Sequence, residues 1–282
     1  MKESSPNSSH LSVSPSRPAA GYIGGKRNLA GRICALIEQL PHTGYAEPFV
    51  GMGGVFLRRT SAPRTEVIND WSADVANFFR ICQRHYVAFM DMLRFQLTTR
   101  AGFDRLLKVD PSTLTDLERA ARFLYLQRTA FGGKVAGRHF GVDRNGPARF
   151  DVSKLGPILE AIHERLTSVV VERLPWADFI QRWDRPGMLF YCDPPYYGSE
   201  GDYGTDDIGM PLFDRAEFER MAEVCRRVQG TVLISLNDRS EVRDIFAEFD
   251  LIEAETTYTL AGGQKARKAA ELLILKQPEA GS

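Results

Sequence analysis

Long apolar runs are missing from this sequence. No stretch approaches the roughly 18 consecutive apolar residues of a membrane helix, and the N-terminal stretch has no apolar signal core. The expectation is a cytoplasmic protein, bacterial or phage-encoded, with no membrane partner. Cysteine is scarce: Cys34, Cys82, Cys192 and Cys225 are far apart and form no C-x-x-C pair. That excludes a disulfide framework and a thiolate metal site, and no metal is expected. Net charge is also lacking, because 36 Lys and Arg balance 36 Asp and Glu, so no global field draws the chain to nucleic acid. Two nucleotide signatures are absent as well. "FVGMGGVF" offers G-x-G but has Phe56 where a dinucleotide fold places its third glycine, and no glycine loop ends in Lys-Ser or Lys-Thr, which argues against NAD and ATP respectively.

What is present alternates. A helix pattern from about Asn28 to Leu40 (Ile33, Leu36, Ile37, Leu40) leads to a short strand in "GYAEPFV", and "TEVIND" is a second strand. Helical spacing follows: Val75, Phe78, Phe79 and Cys82 share a face, and Thr115 with Glu118 forms a capping box. Beyond a further helix over Leu155–Leu166 come strands in "SVVVERL", "GMLFYC" and "GTVLISLND", and a C-terminal pair around a basic loop. Alternation of this kind predicts an α/β fold, a mostly parallel sheet with helices on both faces. The expected organisation is a disordered Ser/Pro-rich tail over 1–18, a catalytic domain over 19–72 and 166–278, and an inserted, mostly helical segment over 73–165.

In open parallel sheets, ligands bind beyond the carboxyl ends of the strands. Three strand ends here carry suggestive chemistry. Gly51 and Gly53 let the backbone turn tightly and approach a ligand. Asp70, about 20 residues on, suits either a helix cap or a ribose diol. With no phosphate cradle, a nucleoside ligand remains, and S-adenosylmethionine fits: ribose, adenine and a charged amino acid without phosphate. The third end is "YCDPPYYG". The amino group of an aromatic base is a poor nucleophile because its lone pair is delocalised. A carboxylate from Asp193 and the Pro194 carbonyl, stiffened by Pro195, can accept its two N–H groups and aim the lone pair at a methyl donor. Tyr196 offers a ring on which the base stacks, a contact worth about 1–3 kcal/mol.

From Tyr22 to Lys276, the chain resembles the DNA adenine methylase (Dam) family, class alpha N6-adenine methyltransferases. The resemblance rests on "YIGGK", "EPFVGMGGVFL", "VINDWS", "FLYLQR", "ADF", "YCDPPYYG" and "GGQKARKAAELLILK" in that order. It implies a Rossmann-like methyltransferase sheet with an inserted target-recognition domain. It also implies transfer of a methyl group from S-adenosylmethionine to N6 of an adenine flipped out of double-stranded DNA. Tyr22 and Lys26 would touch the cofactor, Lys26 at its carboxylate. Phe49, Gly51 and Gly53 would line its methionine part, Asp70 would hold the ribose, and Asp178 and Phe179 would flank its adenine. Asp193, Pro194, Pro195 and Tyr196 would hold the target base. No obligate protein partner is implied, and a monomer is expected.

Local charge points to DNA where global charge does not. From Arg122 to Arg149, six basic residues face one acid, Asp143, among glycines and aromatics. Arg128, Lys134, Arg138, His139 and Arg144 are the candidate DNA contacts. The family's usual Asn and Tyr-Asn-Gly run are replaced here by Gln127 and Phe131-Gly132-Gly133, so GATC recognition is not implied. Gly198–Pro211 reads as a flexible lid with glycine hinges. The alternatives are an N4-cytosine methyltransferase, which more often carries Ser at the position of Asp193, and a non-catalytic DNA-binding protein on the same fold.

Overall fold

The computed structural model describes residues 9–26, 28–141, 146–199, 213–259 and 266–278. Arg144 and all of the expected lid beyond Ser199 lie outside the described residues. In chain order the elements are β1 (Leu11–Ser12), α1 (Ala30–Gln39), β2 (Gly44–Glu47), β3 (Ser61–Ala62), β4 (Thr65–Asn69) and α2 (Ala73–Arg84). Then follow α3 (Tyr86–Leu93), α4 (Arg100–Lys108), α5 (Asp116–Thr129), α6 (Val152–Leu166), β5 (Val170–Glu172) and α7 (Trp176–Trp183). Last come β6 (Met188–Cys192), α8 (Arg215–Arg227), β7 (Thr231–Asn237), α9 (Ser240–Ile245), β8 (Asp250–Thr259) and β9 (Ala266–Lys276).

Seven strands form one sheet in the order β5-β4-β2-β6-β7-β9-β8. The first five of these pair in parallel, and β9 runs antiparallel between β7 and β8. The chain runs outward from β2 through β4 to β5, then returns to β6 on the other flank of β2. The topological switch therefore lies between β2 and β6, where an open sheet leaves a crevice.

The central strands are apolar almost throughout because both faces are covered. Every residue of β2 and β6 is buried. Successive side chains go to opposite layers: Tyr45 and Tyr191 join the core under α1, α2, α5 and α6, whereas Ala46 and Cys192 join the core under α7 and α8. Burial pushes the Cys192 thiol well above its ordinary value, so it packs as a neutral side chain. The capping box at α5 is present, with Thr115 and Glu118 reciprocally bonded to the backbone, and Asp214 caps α8 by accepting from the Glu217 N–H.

Two features differ from the sequence reading. Disorder was expected through residue 18, yet β1 pairs antiparallel with β3, Val13 N–H donates to the Thr60 carbonyl at 3.0 Å, and Ala19 is fully buried. Backbone pairing needs no side-chain pattern, so a Ser/Pro-rich composition gave no sign of it. The helices of 73–165 do not build a separate core among the described residues. Phe78, Phe123, Leu124 and Leu159 belong to the same buried cluster as Tyr45, Ile68 and Leu189 of the sheet.

A charged cluster is buried at the opposite end of the strands from their carboxyl termini. Glu66 accepts from Arg59 at 2.7 Å and from Arg165 at 2.8 Å, with a second Arg165 contact at 2.6 Å. Arg59 lies over the Tyr45 ring at 3.7 Å and Arg165 over Phe56 at 4.1 Å. His42 closes the cluster: its Nδ1–H donates to the Leu40 carbonyl, which leaves Nε2 to accept from Arg59 at 3.3 Å. Burial lowers the His42 pKa to about 4, in keeping with that neutral form.

Candidate active site

A cavity of about 920 Å³ opens at the carboxyl ends of β2, β4 and β6. Its floor is the turn after β2. Gly51 and Gly53 have φ of +50° and +77°, and a Cβ on Gly53 would lie 2.9 Å from the Leu57 side chain, so only glycine fits there without strain. A Cβ on Gly51 would meet the Tyr22 ring at 3.2 Å. Tyr22 thus closes the turn from above, and both residues line the cavity.

Asp70 fastens the turn to the next strand end. Its Oδ2 accepts from the Gly51 N–H and its Oδ1 from the Ser72 N–H, each at 2.9 Å. The cap and ligand readings of Asp70 therefore coexist, because each oxygen of the carboxylate keeps a further lone pair and Asp70 lines the cavity. Burial raises its pKa to about 6, against the two backbone bonds that lower it. Phe49 lines the same wall beside Trp176 and Phe213, with ring centroids 6.3 and 5.9 Å away.

The end of β6 supplies the opposite wall. Asp193 lines the cavity with its side chain 21% exposed, and Pro195 lines it too. The Lys26 ammonium, almost fully buried, lies 2.6 Å from Asp193 Oδ1 and donates to the Tyr196 hydroxyl at 3.0 Å and to the Gly24 carbonyl at 3.2 Å. It also sits 4.3 Å from the centre of the Tyr196 ring. Lys26, expected at the cofactor's carboxylate, lines the cavity, and its ammonium contacts Asp193 there. Ser235 Oγ donates to Asp193 Oδ1 at 3.0 Å, and Tyr191 meets Ser235 at 2.8 Å. Burial raises the Asp193 pKa, while Lys26 and the Ser235 hydroxyl pull it down.

Asp178 and Phe179 fall outside the cavity wall. Phe179 is fully buried in the core, and Asp178 is exposed on the first turn of α7. This element meets the cavity at Pro175 and Trp176 instead. The helix starts one residue after Pro175 and turns Asp178 outward, a rotation that a three-residue motif does not report. Arg128 lines the cavity mouth but also donates to the carbonyls of Arg149 and Ala19 at 2.9 and 2.8 Å. Arg138 donates to Gln127 Oε1 at 3.1 Å, and burial lowers its pKa. Gln127, in turn, donates to the carbonyls of Gly21 and Gly133, at 2.9 and 2.6 Å, stapling the basic loop to the N-terminal segment. Lys134 and His139 are exposed.

The sequence reading missed Arg17, Trp71, Lys154 and Arg220, all on the cavity wall. Lys154 and Arg128 also border a second, smaller pocket of about 280 Å³ with Arg149, which makes the mouth basic. Lys154 and Arg149 lay within or beside the noted run of charge; nothing in the sequence links Arg17 or Arg220 to this crevice.

The residues fit S-adenosylmethionine. One cavity offers a glycine turn at a strand end, an acceptor carboxylate one strand away and an aromatic flank at Trp71 and Trp176, chemistry suited to a nucleoside with a charged amino acid.

Residues 22–260 match the family model described as D12 class N6 adenine-specific DNA methyltransferase. The chain is 23% identical over 275 residues to the Type II methyltransferase M1.LlaDCHI of Lactococcus lactis subsp. cremoris, covering 92% of this chain and 94% of that protein. It is 26% identical over 244 residues to the DNA N-6-adenine-methyltransferase of Escherichia phage P1, covering 82% of this chain and 32% of that protein. The Retron Ec67 DNA adenine methylase of Escherichia coli is 25% identical over 243 residues, 81% of each chain.

Proposed function

The chain belongs to the D12 class of N6 adenine-specific DNA methyltransferases, and from that premise we propose how its residues divide the work. Tyr22, Phe49, Gly51, Gly53 and Asp70 hold S-adenosylmethionine across the ends of β2 and β4. Asp178 and Phe179 shape the adenine end indirectly, through the α7 turn that presents Pro175 and Trp176. When bound, the cofactor supplies an electrophilic methyl group on a sulfonium. Asp193 accepts one N–H of the target adenine and the Pro194 carbonyl accepts the other, while Pro195 and Tyr196 bound the base. As the amino nitrogen gains its new bond its proton grows acidic and shifts toward the Asp193 carboxylate. Orientation and these two acceptors carry catalysis, and this reading needs no metal.

The observation that carries this reading is the Lys26–Asp193 contact of 2.6 Å in the cavity wall that also contains Asp70. It sets a positive charge against this carboxylate, which favours the ionised form, where an amino group must be received. We assign DNA contact to residues 73–165, with Arg128, Lys134, Arg138, His139 and Arg144 as first candidates and Arg17 and Lys154 at the cavity mouth as additions. The target adenine enters there, flipped from the duplex. A soluble, monomeric enzyme acting in the cytoplasm is in keeping with this use.

Incubation with S-adenosylmethionine and unmethylated genomic DNA, followed by sequencing that reports modified bases, tests the proposal. N6-methyladenine at one recurring sequence is the expected result; scattered or absent modification would refute a site-specific enzyme.

A pH profile tests the role of Lys26. Asp193 works ionised, and burial raises its pKa. Single-turnover rates should therefore fall as pH drops through a value above the ordinary carboxylate range. Lys26 lowers that pKa, so Lys26→Met should move the acid limb to higher pH. An unmoved limb would separate Lys26 from Asp193.

A further inference from the structure

β9 carries one acid in an otherwise apolar run, "AAELLIL", and that acid, Glu271, is 1% exposed. Burying a carboxylate costs stability unless it is bonded, so a strand built for stability alone would place an apolar residue there. Glu271 instead accepts from the Tyr196 hydroxyl, and its second oxygen lies 4.0 Å from the Lys26 ammonium.

The register explains the reach. Glu271 stands opposite Asn237 at the end of β7. Asn237 Oδ1 accepts from the Tyr197 N–H at 3.0 Å, and its Nδ2 donates to the Tyr197 carbonyl at 3.0 Å. Two residues earlier on β7, Ser235 donates to Asp193. Consecutive parts of the motif after β6 are therefore held from two neighbouring strands: Asp193 and Tyr197 from β7, and Tyr196 from β9.

We propose that Glu271 is a positioning residue for methyl transfer, acting through the Tyr196 hydroxyl and the Lys26 ammonium to fix the ring and carboxylate that receive the adenine. This inference rests on the assignment of Asp193 and Tyr196 given above. Glu271 touches neither cofactor nor base. Its effect belongs on the rate of methyl transfer within the enzyme–cofactor–DNA complex and not on cofactor affinity.

The test is single-turnover methylation of full-length protein on DNA containing its site, with cofactor affinity measured by calorimetry. Glu271→Leu is expected to slow transfer by roughly tenfold to 100-fold, the scale of a misplaced reacting group, with cofactor affinity unchanged. Glu271→Gln keeps an acceptor for the hydroxyl and should restore most of the rate. Tyr196→Phe should be slow, and adding Glu271→Leu to it should cost less than about twofold more, because the two act as one unit. A wild-type rate in Glu271→Leu with a lowered melting temperature would mark Glu271 as purely structural and overturn the proposal. So would additive effects in the double variant. If Glu271→Leu fails to fold, Tyr196→Phe decides: a wild-type rate there removes the link. Asp193→Asn is run alongside. Activity in that variant would refute the site assignment itself, whereas an inactive Asp193→Asn beside a fully active Glu271→Leu would refute only the positioning role.

Discussion

Asp193→Ala should lower the single-turnover rate of methyl transfer by about a hundredfold to a thousandfold, the loss typical of removing one preorganised group aimed at developing charge. The reason is local. The adenine amino group becomes nucleophilic only when its N–H bonds are drawn off, and Asp193 at the end of β6 is the anionic acceptor on that wall. Cofactor affinity should change little, because the glycine turn and Asp70 stand on β2 and β4 and are bonded to one another, not to Asp193. Asp193→Asn separates two contributions. It keeps an acceptor oxygen and the side-chain shape but removes the charge that Lys26 faces at 2.6 Å. A similar loss in both variants would assign the effect to charge. Titration calorimetry and rapid-quench methylation on the same preparations measure both halves. An Asp193→Ala protein that methylates at the normal rate would end the assignment.

Glu66→Ala should cost about 3–5 kcal/mol of stability, the range for removing one partner of a buried ion pair, and lower the melting temperature by on the order of 10 °C. Glu66, Arg59 and Arg165 are all more than nine-tenths buried. Without Glu66, two guanidinium groups stay in the interior with their Nε atoms unbonded among the described residues, against the faces of Tyr45 and Phe56, with His42 accepting from Arg59. Replacing all three charged residues by apolar ones of similar volume should cost much less than the single change, because the damage comes from stranded charge and not from a lost attraction. Thermal unfolding of the two proteins decides this. Because the cluster lies away from the cavity, the folded fraction of Glu66→Ala should keep its cofactor affinity.

The sheet was legible because its strands are buried on both faces. "YAE", "VIN", "MLFYC" and "VLISLN" each read as short apolar runs that stop at a polar or turn residue, and each is a strand. The helix expected from Asn28 to Leu40 is found at Ala30–Gln39. The cavity wall was legible where one segment holds its own chemistry, as at Gly51, Asp70 and Asp193. It was not legible where chemistry is shared between distant segments. Ser235 and Glu271 read as ordinary polar interruptions in strands, and their meaning comes from a register that brings β7 and β9 beside β6. The Lys26–Asp193 contact spans the chain in the same way, and no local period encodes it. Trp176–Trp183 was missed as a helix although Trp176, Phe179, Ile180 and Trp183 recur at helical spacing within its eight residues.

The position of β9 also bears on when the enzyme becomes competent. Ribosomes deliver the chain from the N-terminus, and β9 follows β8 in sequence, yet it lies between β7 and β8. A nascent chain that has already folded β2, β4 and β6 holds the glycine turn, Asp70 and Asp193, but the support for Tyr196 is still missing. Cofactor capture can therefore precede catalytic competence during synthesis. On the proposed role of Glu271, full methylating power arrives once β9 has slotted between β7 and β8.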